Sequence, residues 1–369
     1  MKVLITGSNG FIGRNLSLWL KSSGHTVIGF DAADNDATLV NALKEADFIV
    51  HLAGINRPLN KQEFYDGNTN FTKKIVDLIK QSNRKIPLIY SSSIQAELDN
   101  DYGKSKKMAE DYLLLFQKES KNLVYVYRLS NVFGKWCRPN YNSALATFCY
   151  NIANDLPIEV RDPNYVVHYV YIDDICKEWL FLIEGKITKD SRVLQEVLPI
   201  YDVSLGMLSD MLNAFKNSRT NMNAPSTKNE FEKKLYATYL SYLSEKNFSY
   251  PLNMHVDSRG SFTEFLRTPE NGQVSVNIAN PGITKGNHYH HTKNEKFLTV
   301  SGECLIRFRK VDSKEVIEYK VSGEKLEVID IPPGYTHSIT NIGKTNSVTI
   351  MWSNEQFDPN NPDTYFEEV

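Results

Sequence analysis

The sequence predicts two folds in series: an α/β unit built on a doubly wound parallel sheet, then an all-β antiparallel barrel. Three observations carry this. Apolar strands alternate with amphipathic helices from residue 2 to about residue 245, the signature of parallel strands joined by crossover helices. From about residue 273 the pattern turns to short β-branched runs separated by Gly, Pro and Asn turns, the signature of antiparallel strands. At 369 residues the chain is also too long for one ordinary hydrophobic core. The alternation stops around Ser244-Glu245-Lys246-Asn247, so the expected domains are residues 1–245 and 246–369.

Hydrophobic residues make up 41% and charged residues 23%, as in soluble globular proteins. The net charge of −2, with no basic block, argues against nucleic acid or an anionic membrane as partner. Met1 leads straight into a strand, which leaves no room for a signal peptide. No apolar run reaches the ~18 residues of a membrane span. Four cysteines (Cys137, Cys149, Cys176, Cys304) without Cys-x-x-Cys spacing fit buried thiols in a reducing cytoplasm.

Lys2–Thr6 reads as the first strand, and Gly7-Ser8-Asn9-Gly10-Phe11-Ile12-Gly13 as the turn into a helix that runs to about Ser22. Glycines at 7, 10 and 13 permit a tight turn, let backbone N–H groups approach a pyrophosphate, and let the helix pack close on the sheet. A second strand, Thr26–Phe30, ends at Asp31, placed to accept a hydrogen bond from a ribose 2′-hydroxyl and to repel a 2′-phosphate. The third strand, Phe48–Leu52, runs into Ala53-Gly54. A helix over 61–82 carries Asn68, and a fourth strand at Pro87–Tyr90 runs into Ser91-Ser92-Ser93. Tyr102 and Lys106 lie one turn apart on the next helix. The Lys106 ammonium is expected to favour the Tyr102 phenolate, so that a phenol of ordinary pKa ~10 trades its proton near neutrality, as hydride transfer at a carbonyl requires. Leu123–Tyr127 is a fifth strand, leading to Arg128–Gly134.

These pieces, together with Tyr169-Val170-Tyr171-Ile172-Asp173-Asp174, resemble the extended short-chain dehydrogenase/reductase family, whose fold is Rossmann-like. The resemblance implies Tyr102 as proton donor, Lys106 as the residue that lowers its pKa and binds the nicotinamide ribose, and a serine that polarises the carbonyl. Ser93 is the better match for that serine and Ser92 the fallback. It implies a nicotinamide cofactor held by Gly7, Asn9, Gly10, Phe11, Ile12, Gly13, Asp31, Leu52, Ala53, Gly54, Tyr102 and Lys106, and a substrate held by Asn131 and Arg138. Eight residues separate Ser93 from Tyr102, fewer than in most members, so an open pocket with a wall supplied from elsewhere is expected.

In the second half, His288 and His290 sit at i and i+2, Glu295 follows five residues later, and Pro332-Pro333-Gly334-Tyr335-Thr336-His337 ends in a third imidazole. On a strand, i and i+2 project to one face, and three neutral imidazoles with a carboxylate suit Zn²⁺, Fe or Mn. His291 then points the other way. The spacing is similar to the two motifs of the cupin (jelly-roll) barrel, which makes His288, His290, Glu295 and His337 the expected ligands of one divalent ion, zinc first. Val256–Phe265 and Lys285-Gly286-Asn287-His288-Tyr289 resemble instead the metal-free nucleotide-4-keto-6-deoxysugar 3,5-epimerases, in which the matching His288 is a base, and Arg259 and Glu264 contact the substrate. Both assignments of His288 stay open.

Domain order and length resemble the bifunctional capsular polysaccharide synthesis enzymes. That resemblance implies a UDP-linked 4-keto-6-deoxy-N-acetylhexosamine substrate, C3 epimerisation in the barrel, NADPH-dependent C4 reduction in the first domain, and a homodimer. Asp31 leaves NADH open as the reductant, with Arg14 offered as the counterweight toward a 2′-phosphate. A non-catalytic sugar-nucleotide sensor and a reductase fused to a 3,4-ketoisomerase are the alternatives.

Overall fold

Four of the five residues of β1 (Lys2–Thr6) are buried, because helices cover both faces of the sheet to which it belongs. The computed structural model describes Met1–Val369. β1 pairs in parallel with β2 (Thr26–Phe30) and β3 (Phe48–His51). β4 (Leu88–Ser93) and β5 (Val124–Leu129) extend the sheet to the order β2-β1-β3-β4-β5. Strand order reverses between β1 and β3, and ligands bind beyond the carboxyl ends of the strands at such a switch point. Alternation along β1 feeds two cores. Val3 and Ile5 pack with Leu16, Leu20 and Trp179 on one face, and Leu4 packs with Ile75, Val76 and Leu113 on the other.

The helices are α1 (Phe11–Ser22), α2 (Asp36–Glu45), α3 (Gln62–Phe64), α4 (Phe71–Gln81), α5 (Asp101–Ser120), α6 (Ala144–Ala153), α7 (Ile172–Ile183), α8 (Leu205–Asn221) and α9 (Glu230–Leu240). The single helix expected over 61–82 is interrupted. α3 and α4 are joined by a π-helical turn, Tyr65–Asn70. The wider turn buries Asn68, which exchanges two hydrogen bonds with the backbone of Ile55 and donates a third to Ser105. A separate small sheet joins β6 (Asn131–Phe133), β7 (Val166–Tyr171) and β8 (Tyr201–Ser204). At the start of α7, Asp173 accepts from Lys135 and Trp19, and Asp174 accepts from Lys234, so this acidic pair ties elements together.

The chain separates into two compact units, Met1–Asn213 with Thr227–Ser244, and Ala214–Ser226 with Glu245–Val369. The second unit is a two-sheet antiparallel barrel. Its strands are β9 (His255–Asp257), β10 (Gly260–Thr268), β11 (Gly272–Ala279), β12 (Thr284–Tyr289), β13 (Glu295–Ser301), β14 (Glu303–Lys310), β15 (Val316–Ser322), β16 (Val328–Ile331), β17 (Tyr335–Asn341), β18 (Ser347–Ser353) and β19 (Tyr365–Phe366). One sheet runs β16-β13-β18-β11-β10-β9 and the other β15-β14-β17-β12-β19. Phe297, Cys304, Ile306, Phe308, Val321, Ile331 and Ile339 fill the core between them. No helix is long and apolar enough to cross a membrane.

Candidate active site and metal centre

The glycine turn lies at the switch point and is tight for steric reasons. Gly7 holds φ +75°, and a Cβ on it would stand 2.9 Å from the Ala53 nitrogen. A Cβ on Gly13 would stand 2.2 Å from the Gly7 oxygen, so α1 packs this closely only with glycine there. Gly10 caps α1 without a side chain, which leaves the first helical N–H groups open to an anion. Asp31 accepts from Ser8 Oγ at 2.5 Å and from the Asn9 amide at 3.0 Å.

A cavity of about 980 Å³ opens over this turn. Asn9, Gly10, Phe11, Ile12, Leu52, Gly54, Ser93, Tyr102, Lys106, Asn131 and Arg138 line it. Gly7, Gly13 and Ala53 stand behind the lining and shape the turn, while Asp31 braces it from the end of β2. The wall left open by the short Ser93–Tyr102 connection includes Trp136, Arg138 and Tyr141. Arg14 lies 4.9 Å over Trp136, and Arg138 and Arg57 lie 4.9 and 5.4 Å over Tyr141. Arg14 thus lines the cavity beside Trp136. Nothing in the local sequence signals the stacking of Arg57.

Ser93 ends β4 and Tyr102 opens α5, where Asn100 caps the helix through the Gly103 amide at 2.7 Å. Gly103 lets α5 press against the preceding turn, since a Cβ there would meet the Gln95 oxygen at 2.2 Å. That contact brings the Tyr102 phenol to the Ser93 hydroxyl. Ser92, the fallback, also borders the cavity but has a different partner. It is buried and bonded to Glu110 at 2.5 Å, and Glu110 in turn pairs with Arg128 at 2.8 Å.

The electrostatics differ from expectation. Burial pushes the Tyr102 phenol above its ordinary value, and the Ser93 hydroxyl only partly offsets this. The Lys106 ammonium, 5% exposed, donates to the Ser91 carbonyl at 2.7 Å and lies 4.6 Å over the Tyr90 ring. Burial lowers its pKa to about 8, with Glu110 working against the shift. Desolvation is thus the largest influence on both groups in this state. Beneath them His51, which sequence reasoning passed over as a strand residue, is fully buried between Thr6 (2.7 Å) and Thr72 (2.9 Å). Burial and then Lys106 hold it neutral, with a pKa of about 3.

The barrel encloses a second cavity of about 480 Å³. At one side His288, His290, Glu295 and His337 bring one donor atom each within 4.8 Å of one another. The register of β12 on β17 pairs His288 with His337; His290 follows the end of β12, and Glu295 opens β13. Nε2 of His290 and of His337 lie 3.5 and 3.3 Å from Glu295 Oε2. These buried atoms have no conventional hydrogen-bond partner. Burial opposes ionisation of Glu295, but the two histidines outweigh it and hold its carboxyl well below the usual range. His288 is pushed down to about 4 by burial and by the neighbouring imidazoles. Neutral imidazoles and an ionised carboxylate with converging, unpartnered atoms fit a divalent metal.

The two substrate contacts expected in the barrel stand in different places. Arg259 lies outside the cavity lining, on the exposed β9–β10 hairpin, 2.6 Å from Asp257. Glu264 does line the cavity, with its carboxylate held by Arg267. His291 is exposed and packs 4.6 Å from the Tyr365 ring, away from the cluster.

Residues 3–193 match the NAD dependent epimerase/dehydratase family, and residues 255–365 match the polysaccharide biosynthesis C-terminal domain. The chain is 44% identical to the UDP-2-acetamido-2,6-beta-L-arabino-hexul-4-ose reductase of Pseudomonas aeruginosa, over 99% of this chain and 98% of that one. The crystal structure of the capsular polysaccharide assembling protein CapF from Staphylococcus aureus superposes with a TM-score of 0.94 at 52% identity, covering both chains fully. The UDP-glucuronic acid 4-epimerase of Bacillus cereus in complex with NAD shares the fold of 66% of this chain at 18% identity and a TM-score of 0.54.

Proposed function

Since the chain belongs to the NAD dependent epimerase/dehydratase family, we propose that it is a bifunctional sugar-nucleotide enzyme. The barrel epimerises a UDP-4-keto-6-deoxy-N-acetylhexosamine at C3, and the first unit reduces the C4 ketone with NADPH. The product is UDP-2-acetamido-2,6-dideoxy-L-talose, a precursor of capsular N-acetyl-L-fucosamine. The single observation that carries this reading is the meeting of Ser93, Tyr102 and Lys106 with the glycine turn in one cavity. Full-length similarity to a reductase of a UDP-linked hexul-4-ose supports the substrate class.

When bound, a reduced nicotinamide supplies the hydride. Ser93 donates a hydrogen bond to the C4 carbonyl oxygen and aligns the ketone. Tyr102, kept protonated by burial, gives its proton to that oxygen as negative charge develops there. Lys106 is near enough to protonation balance to refill the phenol at neutral pH. Asn131 and Arg138 hold the sugar nucleotide against the Trp136–Tyr141 wall.

In the barrel, His288, His290, Glu295 and His337 would hold the metal. A divalent cation there supplies a Lewis acid for an enolate oxygen. The four converging donors favour His288 as ligand over His288 as base. A C4 ketone acidifies the C3 proton, so a base to take that proton and a cation to hold the enolate suffice for epimerisation, which by itself is nearly balanced in free energy. Reduction then drains one epimer and pulls the first step forward, which gives a physical reason for one chain to carry both activities. The chain acts in the cytoplasm as a homodimer.

The test is incubation with the 4-keto sugar nucleotide, with and without NADPH, followed by NMR. Solvent deuterium should enter C3 without reductant, and the L-talose nucleotide should form with it. An untouched ketone in the presence of NADPH removes the proposal.

A further inference from the structure

The last strand of the chain is too short to contribute much by itself, yet it lies across the His/Glu cluster. β19 is two residues long and pairs with His288 and Tyr289 of β12. Just before it, Asp363 takes up φ +36°, a left-handed conformation that favours glycine over residues with a Cβ. Its carboxylate gathers the turn that follows His290. Oδ1 accepts from the His291 amide at 3.0 Å, and Oδ2 accepts from the Thr292 amide, the Thr292 hydroxyl and the Lys293 amide at 2.9, 3.0 and 2.9 Å. Its own main-chain oxygen accepts from His290 Nδ1 at 2.6 Å.

This last contact decides which nitrogen faces the cluster. With Nδ1–H donated to a carbonyl, the neutral ring carries its lone pair on Nε2, the atom that lies 3.5 Å from Glu295. We propose that Asp363 is a positioning residue of the metal centre: its carboxylate fixes the 291–293 turn so that its carbonyl sets the tautomer and direction of His290. The proposal rests on the metal reading of the cluster. One residue thereby makes the C-terminal segment part of the site, although it contributes no ligand.

The test uses the full chain, freed of metal and titrated with Co²⁺, whose absorption reports ligand geometry. Asp363→Gly deletes the carboxylate without strain at positive φ. Asp363→Asn keeps the shape but must turn an NH₂ toward some of the four donors. Loss of an orienting partner typically costs about 10- to 100-fold in metal affinity, and that is the drop expected for Asp363→Gly, with an altered Co²⁺ band. Asp363→Asn should fall between it and the parent. A merely structural role would lower the melting temperature of the metal-free barrel and leave affinity and band unchanged. Parent-like affinity and band in either folded variant overturn the proposal. If Asp363→Gly fails to fold, Asp363→Asn decides alone by the same criterion. A parent chain that binds no Co²⁺ removes the metal reading and this inference together, which is a distinct result.

Discussion

His288 and His337 are register partners across β12 and β17, with ring centroids 4.6 Å apart. Two imidazolium rings at that separation repel, so burial and then the neighbouring rings keep His288 neutral, with a pKa of about 4. Neutrality is also what a metal ligand needs. The barrel thus leaves Nε2 of His290, Nε2 of His337 and Oε2 of Glu295 buried without a conventional hydrogen-bond partner.

Such a cluster should be stabilised by metal. One site filled at a free-ion concentration of 100 Kd adds about 2.7 kcal/mol to the stability of the barrel. Differential scanning calorimetry with Zn²⁺ and with a chelator should show the barrel transition move by several degrees, and His337→Ala should abolish the difference. A chelator-insensitive transition in the Zn²⁺-loaded parent would speak against the site.

Tyr102→Phe should separate the two activities. Loss of a general acid costs about 10²- to 10⁴-fold, so turnover of reduced cofactor should collapse while the nucleotide still binds. Deuterium incorporation at C3 should continue, because the barrel cavity contains no part of α5. Equal loss of both activities would contradict the division of labour.

Much of this was legible in the sequence, for reasons that differ by residue. Gly7 and Gly13 mark places where backbone approaches backbone, and only the absence of a Cβ permits it. His288, His290, Glu295 and His337 were legible because strand periodicity and a short turn fix their relative reach. The pairing of Arg259 with Asp257 was not legible, since a sequence motif does not reveal which neighbour a side chain meets. The π-helical turn at Tyr65–Asn70 and the stacking of Arg57 on Tyr141 depend on contacts between distant segments, to which local pattern is blind. Lys106 misled in its effect, because spacing shows proximity to Tyr102 but not the depth of burial that opposes any charge there.

Asp31 gives a cofactor prediction. Its carboxylate braces Ser8 and Asn9 at the end of β2, where an adenosine ribose would lie. Unit charges 4 Å apart in water repel by about 1 kcal/mol, so Asp31→Ala should raise the NADPH-to-NADH ratio of kcat/KM by at least about 5-fold. Steady-state kinetics with both cofactors decide it; an unchanged ratio excludes Asp31 from discrimination.

Lys106 gives a pH prediction. Burial lowers its pKa to about 8, so the ammonium that refills Tyr102 is lost as pH rises through that value, and kcat/KM for reduction should fall. Lys106→Met should be slower and lack this limb. The stability linkage has the opposite sense. Between about 8 and 10.5 the unfolded chain holds the proton that the folded chain has released, so this group makes stability rise with pH across that window. Activity and melting temperature should therefore diverge in alkaline buffer.

Ser92 and Ser93 provide the sharpest contrast, because adjacent residues of one type on one strand border the same cavity with different partners. Ser92 is sealed against Glu110, whose carboxylate also holds Arg128, so Ser92→Ala removes a buried hydrogen bond to a charged group. The expected cost is about 1–3 kcal/mol of stability, read by denaturant unfolding, with kcat nearly unchanged. Ser93 faces the cavity and meets the Tyr102 phenol, so Ser93→Ala should leave stability almost intact. It should cut kcat for reduction by about 10²- to 10³-fold, the range for losing one donor to a developing oxyanion. If the two variants exchange these phenotypes, the carbonyl lies on the other side of β4 and the placement of substrate against Trp136 and Tyr141 fails with it.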